Sequence, residues 1–291
     1  MSTFVVDRSP HGLVVVSGDD ATTFLQSLVS QDLDPIEQGA SARSMLLTPQ
    51  GKLGVVFRAT RVGDEWWLDT DADFGSLLAE SLNRYRIRVK VEIVDRTETT
   101  GLVSMIGNID QPATNQPTTM LAIPAQWGDA AGTDLLGPLS EAHKMCELLA
   151  REHELWDAGR FEAFRIEHGV PRLGIDLDDK TIPQEAFLDV DAVSFTKGCF
   201  LGQELVARID SRGHVNRYLR RLAVDGAVVP PRGALVVAGE KEVGAITSAA
   251  AVVGEDRVVA LAMIRREVEP PADVTVRWGD TEVSAHVFGV S

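Results

Sequence analysis

The feature that most limits what this chain can fold into lies past Arg217. From there the sequence breaks into short apolar runs: Leu219–Val224, Ala234–Val237, Val243–Val253, Arg257–Ile264, Val274–Trp278 and Val283–Val287. Gly226, Gly233, Gly239, Gly254 and Gly279 punctuate them. The runs are rich in Val and Ile, and turns separate them closely. That spacing leaves no room for helices and predicts a small all-β barrel or sandwich. A domain boundary is expected near Arg212–Arg217.

Upstream the texture is mixed. Leu13–Val16, Ser44–Thr48, Leu53–Thr60 and Trp66–Asp69 read as strands, the last two joined by a hairpin turn at Gly63-Asp64-Glu65. Ile87, Val89, Val91 and Ile93 alternate with charged residues, which predicts another strand with one wet face. Helical spacing marks Ala21–Val29, with Asp19 or Asp20 as cap, and Phe74–Tyr85, with Phe74, Leu77, Leu78 and Leu82 inward. Ser140–Glu154 and Trp156–His168 also read as helices, Gly169 stopping the second. Asn108–Thr119 is polar and Pro-containing and is expected to be a surface loop, while Pro171–Ser194 is irregular.

The chain has 291 residues, enough for two or three domains. Its formal net charge of −15 argues against duplex nucleic acid or an anionic membrane as main partner, since both reward excess Lys and Arg. Cys146 and Cys199 are too few for a disulfide framework or a thiolate metal site, and point to a reducing compartment. The amino-terminal residues lack the pattern of a signal peptide, and no window has the apolar length of a membrane span, so a cytoplasmic protein is expected. The six histidines form no metal-binding spacing; His143 and Cys146 are three apart, but two ligands make a weak site. The glycines form no dinucleotide or phosphate-loop motif.

The most distinctive segment is Lys197-Gly198-Cys199-Phe200-Leu201-Gly202-Gln203-Glu204. Helical character from Gln203 to Ile209 puts the cysteine where a loop enters a helix. There the helix dipole and the Lys197 cation would favour thiolate. Gly198 and Gly202 remove two side chains and let backbone or a ligand come close. The other reading makes Cys199 a small core hydrophobe.

This octapeptide resembles the signature of the YgfZ family, the folate-binding, iron–sulfur-related branch of the glycine cleavage T-protein superfamily. Collinear stretches are similar as well: Gly18–Leu25, Leu47–Lys52, Arg165–Gly174, Pro183-Gln184-Glu185 and Val243–Ser248. The resemblance implies an α+β, T-protein-like fold: two α+β subdomains, 1–107 and 108–212, around a central cavity that holds tetrahydrofolate or a one-carbon derivative, and a C-terminal β-barrel, 213–291. It also separates two branches. Aminomethyltransferases carry an Asp pair after the turn matching Gly51, and one Asp works at the folate nitrogen. Here Val55 and Val56 stand at those places and cannot take a proton.

The resemblance therefore implies a tetrahydrofolate-binding accessory protein for iron–sulfur cluster assembly or repair. Lys197 and Cys199 would be its working residues at the folate cavity, with Lys197 also a folate contact, supported by Gly198, Gly202, Gln203 and Glu204. Its partners would be folate and, transiently, iron–sulfur client or assembly proteins. The alternative is a folate-dependent one-carbon (aminomethyl) transferase. Asp134, in a segment matching a pterin-facing stretch of the T-protein, is the candidate carboxylate for the pterin, or else a solvated turn residue. Trp127 would stack on the ring or pack in the core. Arg208, Arg212, Arg217, Arg220 and Arg221, with His214, form a basic cluster. Of these, Arg208 and Arg217 are the candidates for the glutamyl carboxylates, and ion pairs to Asp176–Asp179 are the competing use. Arg165 and Glu167 are two apart on a helix and are expected to be structural anchors rather than mutual partners.

Overall fold

The structure is a computed structural model and describes residues 3–107 and 119–290. The expected Asn108–Thr119 loop falls, but for Thr119, outside the described residues. The chain divides into two compact units. Unit 1 comprises Met1–Ala125, Ala131–Leu155 and Leu188–Arg212. Unit 2 comprises Gln126–Ala130, Trp156–Phe187 and Gly213–Ser291.

Unit 1 is built on two five-stranded sheets. In chain order its elements are β1 (Phe4–Asp7), β2 (Gly12–Ser17), α1 (Ala21–Gln26), β3 (Ser41–Leu47), β4 (Leu53–Val62), β5 (Glu65–Thr70), α2 (Gly75–Asn83) and β6 (Glu92–Asp95). Then come β7 (Thr100–Ile106), β8 (Leu121–Trp127), β9 (Ala130–Pro138), α3 (Leu139–Leu149) and β10 (Glu154–Leu155). One sheet has the order β3-β4-β5-β2-β6 and the other β10-β1-β7-β9-β8. Leu13 and Val15 of the first sheet share an apolar cluster with Leu102, Ile123 and Leu136 of the second. The opposite face of the second sheet carries α3, whose Ala142, Met145, Cys146 and Leu149 pack on Val5, Val103 and Met105. Every residue of β7 is therefore buried, and a strand covered on both faces shows no alternation.

Unit 2 contains α4 (Ala158–Glu167), a 3₁₀ turn at Pro183–Ala186, and six strands: β11 (Arg217–Val224), β12 (Leu235–Ala238), β13 (Lys241–Ala251), β14 (Val258–Arg265), β15 (Ala272–Trp278) and β16 (Thr281–Phe288). Between α4 and β11 the chain returns to unit 1 as α5 (Asp189–Ala192) and α6 (Gln203–Arg212). The six strands close in the order β11-β14-β13-β12-β15-β16, and β11 pairs with both β14 and β16. Closure makes it a barrel rather than a sandwich. Val236, Ile246, Ala260, Ile264, Val276 and Val287 fill its interior. Each strand lies within a few residues of its predicted run, because short apolar runs separated by glycine turns are a local signal.

Three expectations upstream need correction. Residues 87–91 form no strand; Ile87 is 72% exposed and pairing with β2 begins only at Glu92. The alternation there had no second strand to meet. Leu77 of α2 is exposed, and Leu78, Ala79 and Leu82 make the buried face. Asp20 stands at the N-cap of α1 but its carboxylate does not cap the helix; it accepts the Lys90 backbone N–H instead. The Gly169 stop is present, with φ +71°.

Candidate functional site

In unit 1 the segment from Ser194 to Gly202 is pinned at several points. The Ser194 N–H donates to the Ser30 carbonyl and the Leu201 N–H to the Leu28 carbonyl. The Lys197 side chain turns inward, and its Nζ donates to the carbonyls of Val29 (2.7 Å) and Gln31 (2.9 Å). Burial pushes its ammonium down to about 8, against the opposing pull of Asp32 and Asp34. Phe200 is buried, and its N–H donates to the Gln203 side chain at the start of α6. Gly202 (φ +77°) and Gly51 (φ +74°) bring two turns into contact: a Cβ on Gly202 would lie 2.4 Å from the Thr48 carbonyl, and one on Gly51 2.8 Å from the Gly202 carbonyl. Neither turn tolerates a side chain at that approach.

Between these anchors Cys199 is exposed, and a Cβ added at Gly198 would meet nothing within 4 Å. The segment thus holds a thiol outward on backbone fixed from both sides. Cys199 is not the small core residue of the competing reading. Among the described residues the hydrogen bonds of the Lys197 ammonium go to backbone carbonyls, so its evident role is to fasten the loop. Glu204 and Arg208 pair with each other along α6 and are exposed.

A second polar group, which sequence reasoning missed, lies between the two sheets of unit 1. Arg58 donates through Nε and Nη2 to both oxygens of Asp69 and through Nη1 to Asp134 at 2.9 Å. His11 Nε2 lies 3.0 Å from Asp69, and the Ser104 hydroxyl donates to Asp134 at 2.6 Å. Burial alone would raise the Asp69 carboxyl; Arg58 and His11 overcome it and hold the group at about 2. Burial also works against the Arg58 charge, but the two carboxylates more than offset it and its pKa rises. The signal was available: a two-residue turn at Gly63-Asp64 sets Arg58 opposite Asp69 in the β4–β5 register. On the same face of β4, two residues earlier, stands Val56, while Val55 is buried on the other face. No carboxylate occupies either place.

The folate candidates divide between the two units, Asp134, Lys197 and Arg208 in unit 1 and Trp127 and Arg217 in unit 2. Asp134 is neither a solvated turn residue nor a free carboxylate, since its oxygens already accept from Ser104 and Arg58. Trp127 is buried edge-on against Phe161, with ring centroids 5.1 Å apart. Arg217 forks onto Glu185 rather than hydrogen-bonding into Asp176–Asp179. Arg208 and Arg212 fall in unit 1, and His214, Arg217, Arg220 and Arg221 in unit 2. Arg220 lies over the stacked rings of Phe187 and Tyr218, and Arg221 donates to the carbonyls of Glu167 and Gly289. Arg165 is buried on Asp176 and Glu162, while the Glu167 carboxylate pairs with Arg257. A pterin needs a carboxylate free to accept two N–H groups. Asp134 as placed does not fit that role, because Arg58 and Ser104 already occupy its oxygens. Among the described residues no three His, Cys, Asp or Glu side chains converge as a metal site. Cys146 is buried and its thiol is pushed up to about 11 by burial, with help from Asp7 and Glu147.

No family model matches the chain. The tRNA-modifying protein YgfZ of Vibrio vulnificus strain YJ016 is 28% identical over 249 residues, spanning 80% of this chain and 73% of that protein. A mitochondrial iron–sulfur cluster assembly factor IBA57 homolog of Chaetomium globosum is 27% identical over 267 residues, spanning 81% of this chain and 60% of that protein. The crystal structure of glycine cleavage system aminomethyltransferase T from Bartonella henselae superposes with a TM-score of 0.82 at 19% identity, covering 98% of this chain and 85% of that one. Two open sheets followed by a closed six-stranded barrel are thus the glycine cleavage T-protein fold. Within that class, the chain is similar to YgfZ and IBA57 proteins, and its Lys-Gly-Cys octapeptide resembles the YgfZ signature.

Proposed function

We propose that this protein is an accessory factor for assembly or repair of iron–sulfur clusters that also binds tetrahydrofolate or a one-carbon derivative, and that Cys199 is its point of contact with clients. One observation carries the reading: Cys199 is exposed while Lys197 and Phe200 on either side are buried and hydrogen-bonded. Such an arrangement presents a thiol without letting it fold back. A cluster needs about four protein ligands, so one cysteine cannot own it. A transient thiolate contact to a cluster held mainly by the client is what a single sulfur can supply. The reading includes a reducing, cytoplasmic setting, where the thiol stays free. With a net charge of −15, a protein client is favoured over nucleic acid or a membrane surface.

Folate enters through the fold, which an aminomethyltransferase shares, and through family resemblance. Aminomethyl transfer itself is disfavoured, because Val55 and Val56 offer no proton acceptor. The decisive test replaces Cys199 with Ser in cells lacking the native protein. Activity of iron–sulfur enzymes should stay low with the variant and recover with the wild type. Full recovery with Cys199→Ser would overturn the role of the thiol. Calorimetric titration of the purified chain with reduced folates tests the ligand, and an assay for release of the one-carbon unit separates binding from transfer.

A further inference from the structure

A cavity of about 440 Å³ opens in unit 2, between the 175–181 segment and barrel strands β11, β13 and β14. That volume is in the range of small-molecule sites. Its apolar lining is Ile175, Leu177, Val243, Ala245 and Met263. Three guanidiniums border it, Arg217, Arg232 and Arg265, and they differ in what they already hold. Arg217 is committed to Glu185. Arg232 gives one nitrogen to the carbonyls of Gly174 and Ile175 and meets no carboxylate among the described residues. Arg265, the cross-strand partner of Arg217, is exposed and hydrogen-bonds no carboxylate among the described residues, although its charge also acts on Glu267, which Lys241 already holds. Acids outnumber bases 43 to 28 in this chain, so two guanidiniums that hydrogen-bond no carboxylate at one cavity call for a reason.

The acids at the cavity do not supply one. Asp176 is 4% exposed, and its oxygens accept from Arg165, the Arg172 N–H and the hydroxyls of Thr247 and Ser248. Asp178 accepts from its own turn, through the Lys180 N–H and the Thr181 hydroxyl. Glu242 stands exposed on the rim. Two rim carboxylates repel a phosphate dianion but can accept an N–H from a ligand.

We propose that this cavity binds a small carboxylate with an apolar body and an N–H donor, the chemistry of an N-acylated amino acid. Its carboxylate lies on Arg265 and Arg232, its apolar body on Leu177 and Met263, and its N–H faces Asp178 or Glu242. The proposal stands apart from the role of Cys199. Calorimetry of the full chain tests it with hippurate (benzoylglycine), benzamide and inorganic phosphate as probes. Hippurate should saturate, benzamide and phosphate should not, and Arg265→Ala should weaken hippurate by at least about tenfold. Arg265 is exposed, so that variant should melt with the wild type; Arg232→Gln gives a second reading. No hippurate saturation by about 10 mM, equal binding to Arg265→Ala, or equal binding of phosphate would each overturn the proposal. Displacement of hippurate by tetrahydrofolate would make the acid the tail of a folate; no displacement would make it an independent metabolite.

Discussion

The barrel of unit 2 is filled by Val236, Ile246, Ile264, Val276 and small alanines, with no charge in that cluster. The space between the sheets of unit 1 instead holds Arg58, Asp69, Asp134 and His11 beside its leucines. Both interiors are largely buried, but they tolerate error differently. An aliphatic core accepts any side chain of suitable volume at modest cost. A buried ionic group accepts very little, because removing one member leaves the others charged and unpaired. The barrel is thus held mainly by burial, while the polar group also ties β4, β5 and β9 to one alignment.

The sharpest way to break this contrast is Arg58→Met. It strands Asp69 and Asp134 and should cost about 3–5 kcal/mol in denaturant unfolding; a loss under about 1 kcal/mol would mean the carboxylates find other partners. Acid titration comes next. The Asp69 carboxyl titrates at about 2 in the folded protein against an ordinary 3.8. The folded state therefore binds fewer protons, and its advantage is whole above pH 4 and lost as pH falls toward 2. That loss should be roughly 2 kcal/mol, and Asp69→Asn should flatten it. In the barrel, Ile246→Val should cost only about 0.5–1.5 kcal/mol with no new pH dependence. Smallest is Cys199→Ser, which should leave the melting curve within about 0.5 kcal/mol because the side chain faces solvent. A larger shift would mean that the thiol packs.

The same contrast explains what could be read from the sequence. The six barrel strands were legible because each is a short apolar run and glycines mark the turns, even for β14, which is buried from Val258 to Ile264. The second sheet of unit 1 was not. β1 has only four residues, and β7 is buried throughout, so neither shows a period. The Lys197–Glu204 segment stood out by its residues. That Lys197 would face two backbone carbonyls instead of acting as a free cation depends on the 29–31 loop, far away in sequence. Asp134 looked like a turn residue for the same reason. Its strand, β9, is recognisable only once β7 lies beside it with Ser104 opposite.

Closing the barrel also leaves β11 through β16 with no unpaired rim to offer another chain. The edge strands in the described residues belong to unit 1, β3 and β6 of one sheet and β10 and β8 of the other. β10 has two residues and β6 four, too short to template much. The outer side of β3 already meets Val29, Ser30 and Gln31, so self-association by strand addition should begin at β8, where an added lysine is the place to gain resistance to aggregation.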